Sequence, residues 1–122
     1  MEMIIQNGKI FATGEEYHKY STEERIVGEW VDGSTLYERT YSYSISSETS
    51  QEIATLDSNI VVKEIKGIIH NNGNDMTIPW IDASFFYNIY STSAHKLTAI
   101  KKNAGDWTGQ AVEITICYTK ST

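Results

Sequence analysis

An all-β fold, a small antiparallel sandwich or jelly-roll-like barrel of about seven to nine short strands, is what three features of the chain predict. The first is strict alternation in two long stretches. From Thr35 to Ile45, Tyr37, Tyr41, Tyr43 and Ile45 share one parity while Glu38, Thr40, Ser42 and Ser44 share the other. From Gln110 to Lys120, Val112, Ile114, Ile116 and Tyr118 face one way and Glu113, Thr115, Cys117 and Thr119 the other, as in a half-buried strand. The second is the set of Asn-Gly and Asp-Gly pairs between β-rich flanks, since these residues accept the left-handed backbone that tight hairpins demand. The third is the lack of helical rhythm: apart from a weak pattern at Gly14 to Glu24, no window of a dozen residues repeats apolar side chains at three and four positions.

Taken in order, residues 1–19 form a lead-in in which Ile4-Ile5 and Ile10-Phe11-Ala12 flank Asn7-Gly8, reading either as a small hairpin or as a flexible terminus. Residues 20–122 form one β-domain. Its first strand spans about Glu24 to Val31 and turns at Asp32-Gly33 into the strand from Thr35. Between Ser46 and Ser58 the apolar island Ile53-Ala54-Thr55-Leu56 marks a short strand or a loop. Ile60 to His70 has apolar residues on both parities, Val61, Ile65 and Ile69 against Val62 and Ile68, which predicts a central strand covered on both faces. Asn71-Asn72-Gly73-Asn74-Asp75 is the clearest loop. Met76 to Ile81 follows, with Pro79 marking an edge or bulge because it cannot donate to a ladder. Ala83 to Tyr90, Lys96 to Lys101 and the final stretch from Gln110 complete the strands, with a turn at Asn103-Ala104-Gly105-Asp106.

At 122 residues and 40% hydrophobic, the chain has the size of a single domain with a modest core. A formal charge of -6, with Lys101-Lys102 the only adjacent cationic pair, argues against a nucleic-acid partner. No apolar run approaches the roughly 18 residues of a membrane span, and no basic-then-apolar leader is visible, so a soluble chain without membrane insertion is expected. Cys117 is the only cysteine, which leaves no intrachain disulfide and no thiolate zinc cage.

Catalytic chemistry finds little purchase. His18, His70 and His95 are far apart and belong to no spacing that gathers ligands or a base on one face. Glu15-Glu16 and Glu23-Glu24 are adjacent pairs, and neighbours on a strand point to opposite faces, so their carboxylates do not converge. Asn71 to Asp75 offers oxygen ligands but one carboxylate and no bidentate Glu at calcium-loop spacing. Cys117 has no base beside it in sequence and reads as a small packed side chain. The expectation is a protein that is not an enzyme and needs no cofactor or metal.

The aromatic content is the functional hint. Eleven per cent of the chain is Phe, Trp or Tyr, with eight tyrosines and three tryptophans, and such rings combine an apolar face with a polar edge. Trp80, Phe85, Phe86, Tyr87 and Tyr90 follow the polar Asn71 to Asp75 loop. Asn71, Asn72, Asn74, Trp80, Tyr87 and Tyr90 are therefore the candidate receptor- or glycan-binding residues, the alternative being that the rings fill the core or a subunit seam.

One phrase has more character than the rest: Tyr20-Ser21-Thr22-Glu23-Glu24, then Val27-Gly28-Glu29-Trp30-Val31-Asp32-Gly33 and Leu36-Tyr37-Glu38-Arg39-Thr40, closed by Ile116-Cys117-Tyr118-Thr119-Lys120. It resembles the C-terminal tip module of phage or prophage tail-fibre proteins, over about Tyr20 to Thr122, with the middle from Ser44 to Asp106 carrying no such signature. The resemblance implies a virion structural component located in the phage tail and assembled in the bacterial cytoplasm. It also implies a homotrimer held beside other tail proteins that meets a bacterial surface glycan or protein without catalysis. It gives Trp30 and Trp107 structural roles beside the hairpin and the closing strand. A stand-alone carbohydrate-binding module and a trimerisation or assembly cap without receptor binding are the alternatives.

Overall fold

The computed structural model describes residues 3–6, 9–12, 18–82, 86–102 and 107–121. The strands are β1 (Met3–Gln6), β2 (Lys9–Ala12), β3 (Arg25–Glu29), β4 (Thr35–Ser44), β5 (Ser50–Thr55), β6 (Ile60–Asn71), β7 (Asn74–Ile78), β8 (Trp80–Ile81), β9 (Phe86–Ser91), β10 (Lys96–Lys102) and β11 (Ala111–Lys120). β1 and β2 pair antiparallel by themselves. The other nine build two antiparallel sheets, ordered β3-β4-β11-β6-β7 and β5-β10-β9-β8, which form a small β-sandwich. The turns expected at Asn7-Gly8 and at Asn103 to Asp106, the strand start at Ala83 to Phe85, and Glu15-Glu16 lie outside the described residues. So does the first part of the weak helical stretch, and residues 18–24 are not helical.

The turn residues act as their chemistry requires. Between β3 and β4, Gly33 adopts φ of 88°, Trp30 N donates to Ser34 O at 2.8 Å, and Asp32 Oδ1 accepts from Ser34 N at 2.9 Å. Between β6 and β7 the connection is a two-residue turn, Asn72 at φ 50° and Gly73 at φ 85°. Two successive left-handed residues are what a tight hairpin with the native strand twist needs. The segment expected as a five-residue loop is thus mostly strand, because Asn71 and Asn74 pair directly.

Three sequence expectations are corrected. Met76 to Ile81 is not one strand: Pro79 divides it, and β7 closes the larger sheet while β8 opens the smaller one. With no N–H at Pro79, the ladder cannot continue there, and the chain crosses between the layers. β6 is not covered on both faces. A bulge opposite Cys117 and Tyr118, where Tyr118 pairs with Val62 and Cys117 with Glu64, shifts its parity. Val62, Ile65 and Ile69 then face inward while Val61 and Ile68 lie 42% and 39% exposed on the outer side. The strand covered on both faces is β11, between β4 and β6, where every residue from Ile114 to Thr119 is buried.

Ile69, Val112, Ile114, Ile116, Leu97, Ala99, Ile89, Tyr87 and Tyr118 fill the space between the sheets. A polar contact between side chains spans the layers in the core: the hydroxyls of Tyr43 on β4 and Tyr87 on β9 meet at 2.5 Å. Burial raises the Tyr87 hydroxyl to about 12, the Tyr43 bond partly offsetting it. Burial, reinforced by the Tyr87 bond, pushes Tyr43 up as well. Both stay protonated and satisfy each other inside the core.

Candidate functional site

The outer face of the larger sheet is assembled by register. One row across the strands reads Thr40, Thr115, Lys66; the next reads Ser42, Glu113, Ile68, Thr77; the third reads Ser44, Ala111, His70, Asp75. Paired residues of antiparallel neighbours share a face, so these side chains project from the same surface.

The segment His18 to Glu24 runs beside this sheet before β3 begins. Thr40 N donates to Ser21 O at 2.8 Å, Arg39 Nε donates to Thr22 O at 2.8 Å, and His18 Nε2 lies 2.8 Å from Glu38 Oε1. Glu38 is only 3% exposed, so the polar parity of β4 is not uniformly wet. The His18 contact and the Cys117 Sγ at 3.8 Å supply the polar partners that a buried carboxylate needs. At the end of the same segment Glu24 accepts from Tyr118 at 2.6 Å and from Lys120 at 2.7 Å. Burial alone would raise the Glu24 carboxyl, but the Lys120 and Tyr118 hydrogen bonds outweigh it and hold it below the ordinary value. The two ends of the distinctive sequence phrase, Tyr20 to Glu24 and Tyr118 to Lys120, therefore meet in space.

Tyr20 is carried by this segment and stands 52% exposed over the sheet. Its ring packs edge-on against His18, with centroids 4.4 Å apart. Lys66 Nζ donates to its hydroxyl at 3.2 Å and lies 5.3 Å from its ring centroid, a cation–π approach. The Tyr20 bond raises the Lys66 ammonium above its ordinary value.

Below Tyr20 opens a groove of about 430 Å³, lined by Tyr20, Thr40, Lys66, Gly67, Ile68, Thr77, Glu113 and Thr115. Its volume falls within the roughly 300–1,000 Å³ of small-molecule sites. Its floor carries the hydroxyls of Thr40 and Thr115, 2.8 Å apart, and its walls carry an aromatic ring, an aliphatic side chain, a cation and a carboxylate. At the far end His70 bridges three strands, with Nδ1 2.8 Å from Asp75 Oδ1 and Nε2 2.7 Å from Glu113 Oε1.

The Glu113 and Asp75 bonds raise the His70 pKa above its ordinary 6.5. A raised histidine pKa favours the fold fully below the unfolded value and loses that effect as pH climbs through the folded value. The His70 ring protons should accordingly titrate above pH 6.5 by NMR. Relative to His70→Gln, the native chain should be more stable near pH 6, with the difference shrinking at higher pH. A midpoint at or below 6.5 would contradict the bridge.

Elsewhere the chemistry is muted. Burial, then the charges of Glu38 and Glu64, lift the Cys117 thiol to about 11, so it stays protonated, packed as a small side chain whose S–H is a weak donor to Glu38. Among the described residues no group of three or more His, Cys, Asp or Glu side chains is arranged to hold a metal ion.

The residues nominated from sequence do not form one face. Tyr87 is 1% exposed and belongs to the core, a correction that follows from β9 parity: Tyr87 and Ile89 point inward while Asn88 and Tyr90 point out. Trp80 pairs with Tyr87 and packs against the core, its Nε1 donating to Asp82 at 3.2 Å. Tyr90, 42% exposed, lies on the outer face of the smaller sheet. Asn72 and Asn74 occupy the exposed tip of the β6–β7 hairpin, and Asn71 is half-buried with its Oδ1 unpartnered among the described residues. None of the groove residues was among the nominated site residues; the polar parity of β4 and β11 placed Thr40, Glu113 and Thr115 on one kind of surface, and Tyr20 stood only as the first residue of the distinctive phrase. No protein-family model, curated protein or solved structure matches the chain.

Proposed function

We propose that this chain is a non-enzymatic recognition domain, the tip of a phage or prophage tail fibre, that meets a glycan on the bacterial surface through the groove beneath Tyr20. The observation carrying this reading is the groove's make-up: an exposed aromatic ring and Ile68 beside paired threonine hydroxyls, a lysine and a carboxylate. Sugars present both apolar C–H faces and dense hydroxyls, and such a mixed, open, shallow surface complements them. The tail-like phrase supports the same reading, since its residues fasten the segment that holds Tyr20 in place. Three copies in a homotrimer would turn weak single-site contacts into avidity.

The fluorescently labelled domain should adsorb to host cells, and purified surface polysaccharide should compete it away. Tyr20→Ala should weaken adsorption at least about tenfold, as truncation of an aromatic anchor does, with an unchanged melting temperature. Adsorption indifferent to Tyr20 would move recognition off this face. Light scattering on the same samples should give a mass about three times that of one chain if closed threefold symmetry holds.

A second reading, the assembly cap, draws on the opposite side of the sandwich. Ile81 is 75% and Tyr90 42% exposed on β8 and β9, where a neighbouring subunit would cover them. A trimer that binds no cells would favour it.

A further inference from the structure

Resting on the recognition reading, we infer that the groove selects an uncharged hexopyranose chain over acidic and amino-bearing polysaccharides. The reason lies in how its charges are already committed. Lys66 directs its ammonium to the Tyr20 hydroxyl and ring. Glu113 shares His70 with Asp75. With His70 protonated, two cations, Lys66 and His70, face two carboxylates, Asp75 and Glu113, so the charged groups in the groove and at its far end are paired. When His70 loses its proton the balance turns negative, and Glu64 and the buried Glu38, both paired in register with Cys117 on this face, lend the same sign in either state. An anionic glycan would have to displace the Lys66–Tyr20 bond and approach carboxylates. An ammonium-bearing glycan would have to compete with His70 for Glu113. A neutral polyol needs neither exchange.

What remains available is suited to hydroxyl groups and C–H faces. The Glu113 Oε2 oxygen has no hydrogen-bond partner among the described residues and can accept from a sugar hydroxyl. Thr77 can both donate and accept, and the bonded pair Thr40 and Thr115 keeps one donor and its remaining lone pairs. Tyr20 and the 39% exposed Ile68 give the apolar surface on which a pyranose ring rests. The groove crosses β4, β11, β6 and β7, and with strands about 4.8 Å apart its span is about 14 Å, room for a short oligosaccharide rather than a single ring.

The test uses the whole chain labelled with nitrogen-15 and three sets of probes: neutral glucose, galactose and mannose oligomers; galacturonate oligomers; and glucosamine oligomers. Expected is binding by at least one neutral probe, shifting the amide signals of Thr40, Ile68 and Thr115. Its Kd should hold within about twofold between roughly 50 and 500 mM salt, because a neutral ligand forms no ion pair with the groove for salt to screen. Tyr20→Ala should weaken that Kd at least about tenfold and Tyr20→Trp should restore it. Tyr20→Phe keeps the ring but releases Lys66 from the hydroxyl, and should raise the affinity for galacturonate relative to the native chain. Preferential binding of galacturonate or glucosamine by the native chain, with affinity falling as salt rises, overturns the ligand class and leaves the recognition reading standing. No binding by any probe while Tyr20-dependent adsorption to cells persists also overturns it. Loss of both probe binding and Tyr20-dependent adsorption removes the recognition reading itself.

Discussion

Tyr87→Ala is expected to cost about 3–5 kcal/mol of folding stability, the range for deleting a large aromatic side chain from a packed core. A small domain has about 5–15 kcal/mol in total, so this single change would leave it marginal at physiological temperature. The side chain is 1% exposed, it sits at the interface of the two sheets, and its hydroxyl is paired with that of Tyr43. Tyr87→Phe isolates the hydroxyl. It strands the Tyr43 oxygen in a half-buried site and should cost about 1–2 kcal/mol, whereas Tyr43→Phe with Tyr87→Phe removes both polar groups together and should recover part of the loss. Urea denaturation of the native chain, Tyr87→Phe, Tyr43→Phe and the double variant gives the coupling directly. A Tyr87→Ala protein as stable as the native chain would mean that the residue does not fill the core. The same experiment guards the functional assays, since cell adsorption lost in Tyr87→Ala would report a damaged sandwich and not a missing receptor contact.

Gly67→Ala is expected to destabilise the protein by about 2–3 kcal/mol through overpacking. A Cβ at Gly67 would lie 2.7 Å from the backbone oxygen of Glu113 and 2.7 Å from Ile114 Cγ2. Ile114 is fully buried in the central strand and cannot swing aside, and a backbone oxygen in a ladder yields even less. Here glycine is required by space alone. The change in a thermal melt should be a fall of about 6–15 °C for a domain of this size. Because Gly67 also lines the groove, a variant that still folds at low temperature should bind glycan poorly. A melt within a degree or two of the native value would show that β6 and β11 separate easily at this point.

How far the sequence disclosed these features depends on the kind of information each one needs. The alternation of β4 and β11 was legible because both are long and one face of each carries the core side chains, but the burial of the second face of β11 was not, because its Thr115, Cys117 and Thr119 read as polar. The Asp32-Gly33 turn and the position, though not the length, of the turn at Asn72-Gly73 were legible because their backbone demands are local. The parity of β6 was not, since one bulge near Lys63 exchanges the faces of Val61 and Val62, and nothing in the run Ile60 to Ile69 announces it. Tyr87 and Tyr90 look alike in sequence, yet three positions of a strand place them on opposite faces. The groove was the least legible part. Thr40, Thr115 and Lys66 become neighbours only through the pairing of β4, β11 and β6, and Tyr20 joins them from a segment outside the sheet.

The placement of β11 has a consequence for how the protein comes into being. A chain leaving the ribosome delivers β4 and β6 well before Ala111 to Lys120, and until then these two strands have no shared neighbour. Each exposes a row of free N–H and C=O groups, the template on which chains stick to one another. Synthesis proceeds at about 5–20 residues per second, so this interval lasts a few seconds, and completion of the larger sheet is a late, long-range event that is slow by its topology. The nascent domain thus spends its most vulnerable moments as two unfinished half-sheets, and expression at low temperature or with a holding chaperone should raise the soluble yield more than any change to its finished surface.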